Sequence, residues 1–279
     1  MTNQSILLPH LGGYVDRLWE TADRLQEEGN YSAAEKHYQE ALSVVSQSEP
    51  TSRTCWAAIA NCLGVTYKYM GRFDAAESLY RQALAIFAHH CPEDHASMAT
   101  LYHNLGGLAH ARGEAAAGEA EARRAVEIRQ LCCAHDHPDV AADKAALAAI
   151  LDAQGRYTEA EELYWEAVTI FQRVYGPEHL EVGISYNNLG AIRYHQGDYA
   201  AAADFYSQAL NIKQKALGVM HPDTAMTFNN LAVLYDTQGD MEMAIDYYQQ
   251  ALSIFEVTLE PTHPHIQICR ENLASIRPS

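Results

Sequence analysis

The sequence contains no apolar run of about 18 residues, the length that a helix needs to cross a bilayer. Its first residues, MTNQSILLPHLGG, lack the basic start and the apolar stretch of a secretory signal peptide. Basic residues are scarce, because 19 Lys and Arg stand against 36 Asp and Glu, and the formal net charge is −17. Nucleic acids and anionic membranes bind clustered cations. We therefore expect a cytoplasmic protein whose partners include neither nucleic acids nor membranes.

Disulfide and catalytic signatures are missing as well. The six cysteines form no CxxC pair, and their spacing is not that of a small disulfide scaffold. The sequence contains no HExxH, no GxSxG, no GxxxxGK phosphate loop and no GxGxxG dinucleotide fingerprint. We therefore predict neither enzymatic activity nor a bound cofactor.

What the sequence does contain is a repeat of 42 residues, marked by glycine, alanine and histidine over most of the chain. The glycines are Gly29, Gly71, Gly113, Gly155, Gly197 and Gly239. The alanines are Ala41, Ala83, Ala125, Ala167, Ala209 and Ala251. The histidines are His95, His137, His179, His221 and His263. A fixed period of this length is typical of stacked repeat architectures.

Each repeat contains two helical patterns. In the fifth repeat, Ile184, Leu189 and Ile192 form one apolar stripe, and a second stripe follows a turn at Gly197. Offsets of three and four residues are typical of helices, and no alternating strand pattern occurs. Glycine in the turn favours a left-handed backbone. Each repeat is therefore predicted to be a helical hairpin.

The repeats divide the chain into three parts. We predict an N-terminal arm at 1–11, six helical hairpins across 12–263, and a capping helix with its tail at 264–279. A single hairpin cannot bury its apolar face, so neighbouring hairpins must stack to cover it.

The residues at the key positions of each repeat carry a family resemblance. The sixth repeat reads HPDTAMTFNNLAVLYDTQGDMEMAIDYYQQALSIF and resembles a tetratricopeptide repeat. Its longer helices and its His-Pro-Asp linker are similar to those of the kinesin light chain type. The resemblance covers about residues 12–279. It implies an all-α fold, a right-handed α-α superhelix of six helical hairpins plus a C-terminal capping helix.

The resemblance also implies a binding groove. In the family, an asparagine just before the key leucine of the first helix faces a concave groove and hydrogen-bonds the backbone of a bound peptide. The matching residues, with two asparagines one position earlier, are Asn104, Asn187, Asn188, Asn229, Asn230 and Asn272. An amide both donates and accepts, so it can pair with a peptide unit of any sequence. The alternative is that these asparagines tie adjacent helices together.

Other groove positions carry a mixed set of side chains. By family position, these candidate peptide-binding residues include Lys68, Tyr69, His103, Tyr194 and His195. Lys68 is the only lysine or arginine among them, which disfavours the subclass that clamps C-terminal tails with a ring of Lys and Arg. Tyrosines and asparagines fit an extended peptide better.

The third repeat departs from the pattern in its second helix. Ala115, Gly118 and Ala122 stand where the other repeats have Tyr, Ala and Tyr. Losing two aromatic rings from a core layer costs a few kcal/mol. We therefore expect an underpacked layer, which is either a slightly loose repeat or a hinge.

Two linkers raise the question of a metal site. Cys91 and His95 form one Cys-x3-His pair, and Cys133 and His137 form another at the equivalent position. Two such pairs could build a Cys2His2 zinc site. Histidines recur in linkers that lack the cysteines, however, and adjacent repeats are too far apart to share one ion. We therefore predict no metal, and the adjacent Cys132 and Cys133 leave open a redox-reactive pair.

The sequence thus favours a non-catalytic adaptor that binds a peptide or protein segment in its groove. One alternative is a scaffold that self-associates through its ends or its groove. Another is a regulatory sensor in which the third repeat is mobile. The arm, with its Ile6-Leu7-Leu8 run, is an alternative occupant of the groove.

Overall fold

The computed structural model describes residues 13–47, 53–259, 261 and 263–276, and the arm predicted at 1–11 lies outside them. The described residues form thirteen α-helices and no strand. The helices are α1 (Gly13–Glu27), α2 (Tyr31–Ser46), α3 (Arg53–Tyr69), α4 (Phe73–His90), α5 (His95–Ala111), α6 (Ala115–Cys132), α7 (Pro138–Ala153), α8 (Tyr157–Tyr175), α9 (Leu180–His195), α10 (Tyr199–Leu217), α11 (Pro222–Gln238), α12 (Met241–Thr258) and α13 (Pro264–Ile276). The predicted all-α fold of helical hairpins is confirmed.

The chain divides into two compact units, Met1–Arg156 and Tyr157–Ser279. The first unit contains α1 to α7, and the second contains α8 to α13. In the first unit, α1 packs against α3, α3 against α5, and α5 against α7, while α9 packs against α11 in the second. Within each unit, the first helices of neighbouring hairpins therefore lie side by side, and we call the surface that they share in a unit its first-helix face.

The periodic glycines close the turn between the two helices of each hairpin. All six have a positive φ, between 72° and 82°. An L-residue with a Cβ is strained in this left-handed region, whereas glycine adopts it freely. The left-handed turn predicted from the sequence is confirmed, and it explains why glycine recurs every 42 residues.

The periodic histidines begin the first helices. Nδ1 of His137, His179 and His221 accepts a hydrogen bond from the backbone N–H two residues on, at 3.2, 3.3 and 3.1 Å, and His263 does the same at 3.2 Å. His95 differs, because Asp94 caps α5 by accepting from the N–H of Ser97 at 3.0 Å. These caps satisfy backbone donors that a helix start would otherwise leave unpaired.

The third hairpin, α5 and α6, is closely packed. A Cβ added to Gly118 would lie 2.8 Å from Cβ of Ala109 and 2.8 Å from the carbonyl oxygen of Gly106. A Cβ added to Gly106 would in turn lie 3.1 Å from Cβ of Ala122. The expectation of an underpacked layer was wrong, because small residues on both helices let the two backbones close the space that aromatic rings fill elsewhere.

None of the helices in the described ranges combines the length and the apolar character that a membrane span requires.

Candidate peptide-binding face

Pairs of asparagines join neighbouring first helices in each unit. In the first unit, Nδ2 of Asn104 donates to Oδ1 of Asn61 at 2.7 Å. In the second unit, Nδ2 of Asn230 donates to Oδ1 of Asn187 at 3.1 Å. The sequence analysis missed Asn61, although it occupies the position that Asn187 holds three repeats later. In each pair, the hydrogen bond between the two amides holds two neighbouring helices together.

The other predicted asparagines differ in how much of their hydrogen-bonding capacity is used. Asn272 forms a side-chain hydrogen bond with Tyr248. Burial raises the pKa of Tyr248 to about 12, and this hydrogen bond opposes the shift. Among the described residues, the side chain of Asn188 has only one long contact, in which its Oδ1 lies 3.5 Å from Nδ2 of Asn187. Asn229 has no side-chain hydrogen bond to any residue that the structure describes, and both Asn188 and Asn229 are half-buried.

A polar link crosses from α5 to α7 through His103. Nδ1 of His103 lies 2.8 Å from Oδ1 of Asp143, and Nε of Arg129 donates to Oδ2 of the same carboxylate at 2.9 Å. Arg129 also donates to the carbonyl of Ala96 at 3.2 Å and to the hydroxyl of Thr100 at 3.1 Å. Burial opposes the charge of Arg129, but Asp143 outweighs it and holds the pKa of the guanidinium above its usual range.

The second unit contains an equivalent link. Nζ of Lys213 donates to Oγ1 of Thr227 at 3.0 Å and to the carbonyl of Asp223 at 3.3 Å, and Thr227 donates to Asn187 at 3.1 Å. Burial lowers the pKa of Lys213, and the charge of Asp223 opposes that shift. The three side chains lie 84 residues after Arg129, Asp143 and His103.

Neither buried cation was predicted from the sequence, although a signal for both was present. The equivalent residues in the other repeats are Val45, Phe87, Phe171 and Phe255. A cation among apolar residues at one repeat position indicates a buried polar link rather than a solvated charge.

The predicted aromatic residues lie near the ends of the first helices. Tyr69 stacks on Tyr31 with ring centroids 5.2 Å apart, and His195 stacks on Tyr157 at 5.5 Å. The two stacks are equivalent, since Tyr157 and His195 lie 126 residues, or three repeats, after Tyr31 and Tyr69. The hydroxyl of Tyr194 lies 2.9 Å from Oγ1 of Thr237 and so links α9 to α11.

The cysteine and histidine pairs form no metal centre among the described residues, where no group of three or more candidate ligands comes together. His137 serves as the N-cap of α7. The sulfur atoms of Cys132 and Cys133 lie 3.8 Å apart, and burial raises the pKa of Cys133 to about 11. This thiol therefore stays protonated near neutral pH.

Comparison with protein families matches a model of the tetratricopeptide repeat to residues 19–89, 97–164, 142–215, 186–257 and 223–276. The sequence matches no curated protein. Among solved structures, the chain is similar to BtubC (BKLC) from P. vanneervenii, with 27% identity, a TM-score of 0.64, and coverage of 91% of this chain and 95% of that one.

Two further structures extend the comparison. A variant of a putative kinesin light chain from Podosopora anserina shares 25% identity over 71% of this chain and 94% of its own, with a TM-score of 0.57. The quorum sensor NprR from B. thuringiensis shares only the fold, with 15% identity, a TM-score of 0.69, and coverage of 92% and 68%. The chain therefore belongs to the tetratricopeptide repeat family, and its repeats are of the kinesin light chain-like type.

Proposed function

We propose that this chain is a non-catalytic adaptor that binds an extended peptide, or a segment of another protein, along its first-helix face. Repeats of this family are typical of protein-interaction scaffolds. The structural neighbours span a kinesin light chain and a quorum sensor, so the fold by itself does not select a partner.

The observation that carries the proposal is the unused amide capacity of Asn188 and Asn229. They lie on the neighbouring helices α9 and α11, and both are half-buried. A half-buried amide with hydrogen-bonding capacity that no described residue uses is suited to a ligand that supplies both a donor and an acceptor, as a peptide backbone does.

The experiment is an affinity capture from the source lysate, with the wild type beside an Asn188→Ala/Asn229→Ala variant and read by mass spectrometry. Asn211→Ala is the matched control, because it removes an exposed amide from α10, a second helix of the same unit. We expect proteins that the wild type and the control retain and the double variant loses, with the same melting temperature for all three. Equal retention by all three would refute a role for these amides.

The last helix gives less support to the self-associating scaffold than to the adaptor. Gln267 and Arg270 of α13 stand where α11 has Ala225 and Phe228, and Arg270 pairs with Glu256 at 2.6 Å. A polar outer face is typical of the helix that caps a repeat array. A mass that stays monomeric with concentration supports the adaptor, and a mass that rises with concentration supports the scaffold.

A further inference from the structure

Lys68 is a half-buried cation without a counter-ion among the residues that the structure describes. It lies in the last turn of α3, and its ammonium forms no ion pair and no hydrogen bond with any residue in the described ranges. This is unexpected in a chain with 36 acidic residues against 19 basic ones. Burial lowers the pKa of Lys68, since neither full solvation nor a carboxylate offsets the cost of its charge.

The backbone of α5 makes room for this ammonium. A Cβ at position 107 would lie 3.1 Å from Nζ of Lys68, and the residue there is Gly107. The equivalent residues of the neighbouring repeats are Val65 and Ala149, which carry a Cβ. The lysine is the only one at its repeat position, where the other repeats have Gln26, His110, Asp152, Tyr194 and Asp236. The cation and the glycine therefore lie together at one place on the first-helix face.

No carboxylate in the described ranges forms an ion pair with Lys68. His110 on α5 is the titratable neighbour, and its pKa is lowered first by burial and then by the charge of Lys68, while Asp152 on α7 opposes that shift. A neutral imidazole does not neutralise an ammonium. At the positions of Asn61 and Gly107, α7 carries Ala145 and Ala149, which offer no side-chain hydrogen bond.

We propose that Lys68 anchors a carboxylate of a bound peptide on the first-helix face of the first unit. The inference rests on the proposed function, since it presupposes that the chain binds peptides on such a face. The carboxylate belongs to an Asp or Glu side chain or to a C-terminus, and a single lysine holds it as a point charge. This is one charge-assisted hydrogen bond rather than a ring of basic residues.

The experiment is a selection of phage-displayed random peptides against the full chain, in the wild type and in a Lys68→Met variant. Lys36→Met is the matched control, because Lys36 is an exposed lysine on α2 that also lacks an ion pair with any residue that the structure describes. Selected peptides are then synthesised with each acid replaced by its amide, and with a free or an amidated C-terminus. Dissociation constants are measured at low and high salt.

We expect peptides selected by the wild type and by Lys36→Met to share an acid at one fixed position, or a required free C-terminus. Neutralising that group should weaken binding to the wild type by roughly ten- to a hundredfold, which is the range for a hydrogen bond to a charged group. Neutralising the same group should change the dissociation constant for Lys68→Met by less than about twofold.

Three results would overturn the inference. Selected peptides without any acid preference would show that Lys68 anchors no carboxylate, although the adaptor function would stand. If neutralising the acid weakens binding to Lys68→Met as much as binding to the wild type, the acid contacts a residue other than Lys68. If no peptide binds the wild type, the proposed peptide-binding function fails together with this inference.

Discussion

Nε of Arg129 donates to Oδ2 of Asp143 across 2.9 Å, with 6% and 2% of the two side chains exposed. The pair joins the second helix of the third hairpin to the first helix of the fourth. Burying two charges carries a desolvation cost that their attraction only partly offsets, so such a pair contributes more to specificity than to stability. Here it fixes which side chains of α6 and α7 lie opposite one another.

Replacing Asp143 alone should strongly destabilise the first unit. Asp143→Leu leaves the Arg129 guanidinium buried without its anion, and we expect a loss of about 3–5 kcal/mol in the free energy of unfolding. The double variant Arg129→Phe/Asp143→Leu introduces the residues of the preceding repeat, Phe87 and Leu101, which belong to one buried cluster, and should recover most of that loss. Urea denaturation measures both, and a double variant as unstable as the single one would contradict this account.

A histidine cap should be replaceable by asparagine but not by alanine. Nδ1 of His221 accepts from the N–H of Asp223, and His221→Ala leaves that donor unpaired. We expect a loss of about 1 kcal/mol for His221→Ala and a clearly smaller loss for His221→Asn, because asparagine is a strong N-cap. Thermal denaturation of the two variants measures the difference. Equal losses would mean that the imidazole acts through packing instead.

Two glycines of the third hairpin should respond to alanine with opposite signs. Gly118→Ala places a Cβ 2.8 Å from the backbone oxygen of Gly106, so we expect a destabilisation of about 1–3 kcal/mol. Gly107→Ala meets only the mobile end of Lys68, and its higher helix propensity should stabilise the chain by up to about 1 kcal/mol. Chemical denaturation would measure both changes. A neutral Gly118→Ala would show that α5 and α6 can separate without cost.

Low pH should remove the contribution that Glu119 makes to the free energy of unfolding near neutral pH. Hydrogen bonds from Arg156 and Arg123 lower the pKa of Glu119 to about 2. Because the folded-state pKa lies below the unfolded one, this stabilisation is present above about pH 4.5 and is lost as the pH falls towards 2. The wild type should therefore melt at a higher temperature than Glu119→Gln at pH 6, and the gap should narrow below about pH 4.5 and be mostly lost at about pH 2.

The control for this pH dependence is Glu162→Gln, which alters an exposed glutamate of α8 that has no ion pair with a described residue. Its melting temperature should follow that of the wild type at every pH. A constant gap between the wild type and Glu119→Gln across the same acid range would argue that the effect is one of packing.

The sequence sufficed for features that every repeat shares. The 42-residue spacing of Gly29 and its equivalents predicted the turns, because a left-handed turn needs glycine wherever it occurs. Offsets of three and four residues predicted the helices for the same reason. These are local requirements, and the repetition of each one made them visible.

What the sequence did not reveal depends on contacts between repeats. Arg129 differs from the apolar residues at its repeat position, but only the structure identifies Asp143 as its partner. Gly118 suggested a loose layer, yet Gly106 lies opposite and lets the two backbones meet. The amides of Asn104 and Asn188 occupy equivalent positions, but only Asn104 faces an amide partner on a neighbouring helix. The identity of a single residue does not show which residue of another helix it contacts.

The hydrogen bonds between helices also bear on how the chain is made. The pairs that reach furthest along the described sequence, such as Asn104 with Asn61 and Tyr194 with Thr237, are only 43 residues apart. Each hairpin thus finds its partners within about one repeat of newly made chain, and contacts of such short range form quickly. The array can therefore assemble in order from its N-terminal end while the ribosome is still translating the remainder.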